Sequence, residues 1–99
     1  MISEDYVPYM GEWAELRKNY LIEEKPEDFK DLVESKLLLE YFEGIEEMYN
    51  NKFDELVEEQ MEREGIDEEL KSRNPLEWVG CVNNIRSQVR EILTAEICS

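Results

Sequence analysis

The sequence predicts an all-α protein, a small bundle of three to four helices with one long central helix packed against the C-terminal helix. Three observations carry that expectation. Helix-forming residues dominate, no run of alternating polar and apolar residues is long enough for a strand, and apolar residues recur at three- and four-residue steps over most of the 99 positions. Hydrophobic residues make up 41% of the chain, including two tryptophans, five tyrosines and three phenylalanines, so chain entropy can be offset by burial despite the high charge. A chain of this length supports one core, and residues 1–99 are read as a single domain with an irregular N-terminal arm over 1–11.

Pro8 and Gly11 punctuate that arm. The first helix is expected from Glu12 to Glu24, with Trp13, Leu16, Tyr20 and Leu21 turned inward. Tyr6, Tyr9 and Trp13 are read as aromatic side chains capping the end of the core, the alternative being that they stack on bases or enter a partner's pocket. Pro26 suits the first turn of a short second helix, where its missing N–H costs nothing, and Phe29, Leu32 and Val33 supply the apolar stripe. A third helix is expected from near Ser35 to Glu64, ended by Gly65 and about 45 Å long. Along it Leu38, Tyr41, Phe42, Ile45, Met48, Tyr49, Phe53, Leu56 and Val57 form the core-facing stripe, with Gly44 read as a close contact or slight bend. One turn of helix over Asp67–Lys71 follows. Asn74-Pro75-Leu76-Glu77 then reads as N-cap, first-turn proline and capping-box glutamate of a last helix reaching about Ile97. Trp78, Val82, Ile85, Val89, Ile92 and Leu93 are its expected core face.

Charge narrows the function. Acidic residues outnumber basic ones 26 to 11, for a net charge of −15. Such a field repels nucleic acid and anionic membranes and favours a basic partner. Histidine is absent, so general acid–base work would fall to exposed carboxylates, which titrate far from neutrality. No nucleophile elbow, phosphate-binding glycine loop, zinc-protease helix or EF-hand loop occurs. The expectation is a protein that is not an enzyme and needs no metal or cofactor. Cys81 and Cys98 lack a C-x-x-C spacing and lie too far apart along one helix for a disulfide. Read as reduced thiols, they point to the cytoplasm, and neither a secretory leader nor a membrane-spanning run is visible.

The excess negative charge concentrates on the long helix. Between Glu40 and Glu64 ten acidic residues stand against two basic ones, a net of −8. Glu40, Glu43, Glu47, Asp54 and Glu58 project within a sector about 60° wide, opposite the apolar stripe. Any amphipathic helix has a charged solvent side, but an ordinary one mixes signs and gains from i,i+4 pairs. Here lysine is nearly missing. Carboxylates about 5–6 Å apart approximate the spacing of phosphates along a strand, so these five are the candidate partner-binding residues. Asn83, Arg86 and Arg90 on the last helix form a small secondary cluster, too few to be a nucleic-acid footprint.

Toward the C-terminus the sequence becomes specific. Glu69-Leu70-Lys71-Ser72-Arg73, Leu76-Glu77-Trp78-Val79, Val82-Asn83-Asn84-Ile85-Arg86, Glu91-Ile92 and Ala95-Glu96-Ile97 resemble the C-terminal signature of the TnpV family of transposon-encoded proteins. A weaker likeness runs upstream through Leu16-Arg17, Tyr20-Leu21 and residues 32–37. The resemblance implies a small helical protein carried on mobile elements of anaerobic, mostly Gram-positive bacteria, and brings no catalytic residues. The chain departs from the family in its short arm, in Asn74-Pro75 and in its acidic central helix. Together with the charge, this leads to the expectation of an inhibitor that mimics DNA, in the manner of an anti-CRISPR protein, with a CRISPR-associated (Cas) nuclease or another nucleic-acid enzyme as the basic partner. The alternative is a transposition accessory that joins a recombinase or dimerises through the long helix.

Overall fold

A computed structural model describes residues 8–99. The regular structure of the described residues is all helical: α1 (Glu12–Glu24), α2 (Pro26–Ser35), α3 (Leu38–Glu64), α4 (Glu68–Arg73) and α5 (Pro75–Ile97). The helices pack into a rod of 56 × 24 × 17 Å. Its radius of gyration, 17.5 Å, exceeds the roughly 13 Å of a compact domain of similar length.

The rod form follows from two apolar clusters set along α3 rather than one. Trp13 of α1 joins Tyr49, Phe53 and Val57 of α3 and Ile85, Val89, Leu93 and Ile97 of α5. Ala14 and Leu21 of α1, Phe29 of α2, and Leu38 and Phe42 of α3 make the second. Helix α1 therefore buries residues in two directions, which is why Trp13 and Ala14, adjacent in sequence, belong to different clusters.

Helix ends follow their local chemistry. Gly65, at φ 70°, ends α3 in the left-handed conformation that glycine adopts without steric cost, and the Ile66 N–H reaches the Met61 carbonyl at 2.8 Å. Helix α2 ends in the same way at Lys36, φ 63°, with the Leu37 N–H on the Leu32 carbonyl at 3.3 Å. A lysine there costs about 1–2 kcal/mol in backbone strain. This left-handed residue also corrects the expected start of the long helix, which begins at Leu38 and not near Ser35. The last helix opens where expected: Asn74 Oδ1 accepts from the Glu77 N–H at 3.2 Å. The return bond differs from a capping box, since Glu77 accepts from the Asn74 side-chain amide while the Asn74 N–H closes α4 on the Leu70 carbonyl.

Four core assignments change. Ile92 is 61% exposed and Ile97 takes its place in the core. The buried residues of α5 advance in steps of four, Ile85, Val89, Leu93 and Ile97. Each such step rotates the contact line by about 40°, carrying it away from Ile92. Met48, at the edge of the α3 stripe, is 45% exposed. Of the three arm aromatics, Trp13 is buried and Tyr9 is 74% exposed, while Tyr6 lies outside the described residues. Gly44 has nothing within 4 Å of where a Cβ would stand, so it marks no close contact.

Side chains tie the helices together across the rod. Arg17 of α1 donates to the Tyr41 hydroxyl at 3.1 Å and to the Ile97 carbonyl at 2.7 Å, placing a cation at the negative end of α5. Lys52 donates to Glu96 at 2.7 Å, and that bond holds the ammonium above its ordinary pKa. The N-terminus of α1 has no side-chain cap of its own. Glu46 of α3 supplies one, accepting from the Ala14 N–H at 3.0 Å and from the Asn50 amide at 2.9 Å. Gly11, at φ 133°, leaves room for it, because a Cβ there would fall on the Glu46 carboxylate.

Two stability changes follow. Gly44→Ala, in open space inside α3, should raise unfolding free energy by about 0.5–1 kcal/mol in urea melts. Glu46→Ala should lower it by about 0.5–2 kcal/mol, the usual worth of an N-cap, and should do so more than alanine at the exposed Glu47.

Candidate functional site

Helix α3 is about 40 Å long, and its core residues recur along one side, so whatever lies opposite is held straight and faces solvent. Glu40, Glu43, Glu47, Asp54 and Glu58 are all exposed and lie on that opposite side. From Glu40 to Glu58 the face runs about 27 Å along the axis. Among the described residues none of the five carboxylates has an ion-pair or hydrogen-bond partner; the acidic members of the ion pairs are Glu12, Glu15, Glu34, Glu69 and Glu96. The five thus lie along one side of α3 with uncompensated charge, in two groups separated by the turns that hold Asn50 and Asn51.

Three open depressions touch the strip, and two of them carry several α3 carboxylates. One, of about 530 Å³, lies at the C-terminal half of α3 and is lined by Glu55, Glu58, Glu59, Glu62 and Asp67 over a floor that includes Met61. The other, of about 730 Å³, lies between α3 and the segment Pro8–Met10, with Glu43, Glu47, Asn50 and the exposed ring of Tyr9 on its walls. Each is wide enough for lysine or arginine side chains, with carboxylates to receive them. Glu55, Glu59 and Glu62 fall outside the 60° sector, and a sequence projection centred on one sector leaves them out. Glu46, also off the sector, is the capping carboxylate of α1 and lines the second depression beside Glu43 and Glu47. The signal for its role was the lack of Ser, Thr, Asp or Asn before Glu12.

The secondary residues divide. Arg90 pairs with Glu12 and lies 5.7 Å from the ring centres of Trp13 and Phe53, so it serves the packing of α5 on α1 and α3. Arg86 lies 5.0 Å from the Phe53 ring and stays exposed, as do Asn83 and Asn84. They belong to α5 and are not part of the carboxylate strip. Both cysteines are free, Cys81 half-buried and Cys98 exposed. Among the described residues no three Asp, Glu or Cys side chains converge as a metal would require, and no helix is long and apolar enough to cross a membrane.

A family model described as transposon-encoded protein TnpV matches residues 2–98. The chain belongs to the TnpV family. The match spans nearly the whole sequence, so the carboxylate strip, both apolar clusters and the capped start of α5 all lie inside the TnpV region. Comparison with curated proteins and with solved structures returns no match. For this TnpV-family protein the fold is therefore described from its own helices.

Like charges at i,i+3 and i,i+4 destabilise a helix by about 0.2–0.5 kcal/mol per pair. Glu43 and Glu47 form such a pair, as do Asp54 with Glu58 and Glu58 with Glu62. Glu47→Gln and Glu58→Gln should therefore each stabilise the fold by a few tenths of a kcal/mol at low salt, judged by denaturant melts. The gain should shrink as added salt shortens the Debye length.

Proposed function

We propose that this TnpV-family protein acts without catalysis, as a binding protein whose α3 carboxylate strip occupies a basic, nucleic-acid-binding surface of another protein. The observation that carries the reading is the strip itself: five exposed carboxylates on one straight helix, none neutralised within the described chain. A face kept for solubility alone gains from interspersed lysine, which stabilises the helix through mixed-sign pairs. This one retains repulsion along its length. Pairing with lysine and arginine of a partner relieves that repulsion and releases the counterions of both surfaces, as a nucleic acid does on the same groove.

In this reading the protein is a DNA mimic, and a Cas nuclease is the kind of target an anti-CRISPR inhibitor would block. Membership in a transposon-encoded family favours a second target of the same chemistry, the recombinase of the element, which the protein would join as an accessory. The two share one mechanism, occupation of a basic channel, and differ in whose channel it is.

A competition assay tests both. Labelled duplex DNA is bound to a purified Cas nuclease or to the element's recombinase, and the protein is titrated in at low and at physiological salt. Displacement from one enzyme and not the other identifies the target. The triple variant Glu40→Lys, Glu47→Lys, Glu58→Lys should compete at least tenfold less well, a change of about 1.4 kcal/mol, with a shallower salt dependence. Equal competition by wild type and triple variant at low salt would refute the strip as the binding face.

A further inference from the structure

A groove between α1 and α2 carries charges of both signs over an apolar floor. Leu21 of α1, buried, and Leu32 of α2, half-buried, form that floor. The groove has a volume of about 380 Å³, within the ordinary range of small-molecule sites. Arg17 of α1 and Tyr41 of α3 line one side, and α2 supplies Asp28, Asp31 and Ser35 on the other. Helical spacing sets this acidic wall: at 100° per residue the three, with Leu32, fall within a sector about 100° wide, to one side of the buried Phe29. Asp28 lies in the first turn of α2, where a carboxylate also suits the positive end of the helix, but Asp31 has no such role.

The two sides do not close on each other. Among the described residues neither aspartate has an ion-pair partner, and Arg17 pairs with neither of them. Nearby lysines are committed elsewhere, Lys18 to Glu15 and Lys30 to Glu34, while Glu24, Lys25 and Glu27 are exposed at the α1–α2 turn and do not line the groove. Arg17 is held in place instead by the Tyr41 hydroxyl, through Nε at 3.1 Å, and by the carbonyls of Ile97 and Ser99, through Nη1 at 2.7 and 3.2 Å. Its Nη2 has no acceptor among the described residues. Tyr41 accepts from Arg17, and its own O–H is likewise without an acceptor there. Two donors, one of them cationic, are therefore fixed side by side, opposite two unpaired carboxylates. Ser35 donates to the Leu32 carbonyl at 3.1 Å, which leaves its oxygen able to accept.

We propose that this groove binds a small zwitterion, a molecule with one carboxylate and one ammonium on an apolar body, of which a free amino acid is the simplest kind. Its carboxylate takes the Arg17 Nη2 and the Tyr41 O–H, its ammonium takes Asp28 and Asp31, and its apolar body covers Leu32. Charge complementarity selects this occupant. A lone cation gains the aspartates but sits beside the Arg17 guanidinium. A lone anion meets the aspartates and, on approach, the field of a chain with net charge −15. A zwitterion satisfies both sides and is neutral at long range. The groove is open to solvent, so each ion pair contributes modestly and the expected dissociation constant is millimolar. The proposal does not rest on the reading of the α3 strip, and either can fail alone.

The test titrates the full chain, labelled with ¹⁵N, with two zwitterions: L-leucine, whose charges are adjacent, and 6-aminohexanoate, whose charges are separated by a methylene chain. Hexylamine and hexanoate, with one charge each, are the controls. At least one zwitterion should shift the amide resonances of Arg17, Leu21, residues 28–35 and Tyr41, and should bind at least about threefold more tightly than either control. Asp28→Asn with Asp31→Asn, both at exposed positions, should keep the fold and abolish the advantage over hexanoate. Tyr41→Phe, which keeps the ring, should narrow the advantage over hexylamine. Because the ligand joins α1 to α2, at about ten times its dissociation constant it should slow amide exchange in α2 by about tenfold. The proposal is overturned if neither zwitterion shifts these residues, if hexylamine binds as tightly as the better zwitterion, or if the asparagine pair leaves the advantage over hexanoate unchanged.

Discussion

The bond between Glu46 and the first turn of α1 sets the position on which the remaining packing depends. It fixes α1 against the middle of α3, between the two apolar clusters, so that Trp13 enters one and Ala14 and Leu21 enter the other. Buried helix ends leave N–H groups that must find an acceptor, and Gly11 offers none from its own side chain. The acceptor comes from across the bundle, which couples a local backbone requirement to tertiary structure. Arg17 does the converse at the other pole of a helix, meeting the carbonyl of Ile97 at the end of α5. Positive and negative helix ends are thus each satisfied by a charged side chain of a different helix.

One carboxylate of α3 is used for structure and the others are left over. Glu46 is half-buried against the start of α1, while Glu40, Glu43, Glu47, Asp54 and Glu58 are exposed with no counter-charge among the described residues. The repulsion among them opposes folding, and burial of Phe42, Tyr49, Phe53 and Val57 on the same helix outweighs it. Helix α5, by contrast, has most of its charges committed: Arg90 to Glu12, Glu96 to Lys52 and Glu77 to the Asn74 amide. The division between a charged face on α3 and a nearly neutral α5 is therefore a property of packing as well as of composition.

Much of this was legible in the residues. Pro26, Gly65 and Asn74-Pro75 act through backbone geometry, which operates over a few positions, and the helix boundaries they mark stand where expected. The α3 strip was legible because helical periodicity alone puts its five members on one side. What was not legible depends on neighbours. Lys36 adopts the left-handed conformation without any glycine or proline to signal it, because the chain must reverse between α2 and α3 to bring Phe29 onto Phe42. Ile92 and Ile97 exchange places because α5 crosses its neighbours along a ridge rather than straight along its axis. Tyr9 stands exposed while Trp13, four residues on, is buried, and the cap role of Glu46 belongs to a contact thirty-two residues away in sequence.

The two-cluster arrangement gives the molecule uneven cohesion. Helix α2 is anchored by one fully buried side chain, Phe29, with Leu32 and Val33 only half-covered, whereas α5 sets four buried residues against α1 and α3. Burial of a phenylalanine is worth about 1.5–3 kcal/mol, so detaching α2 requires much less than global unfolding. Release of α2 also relaxes the strained backbone at Lys36, which offsets part of that cost. The protein then has a natural order of opening: α2 lifts first and bares Leu21, Leu38 and Phe42, while the cluster under α5, and with it most of the carboxylate strip, stays folded. Amide exchange would accordingly be fast at one end of the rod and slow along the other.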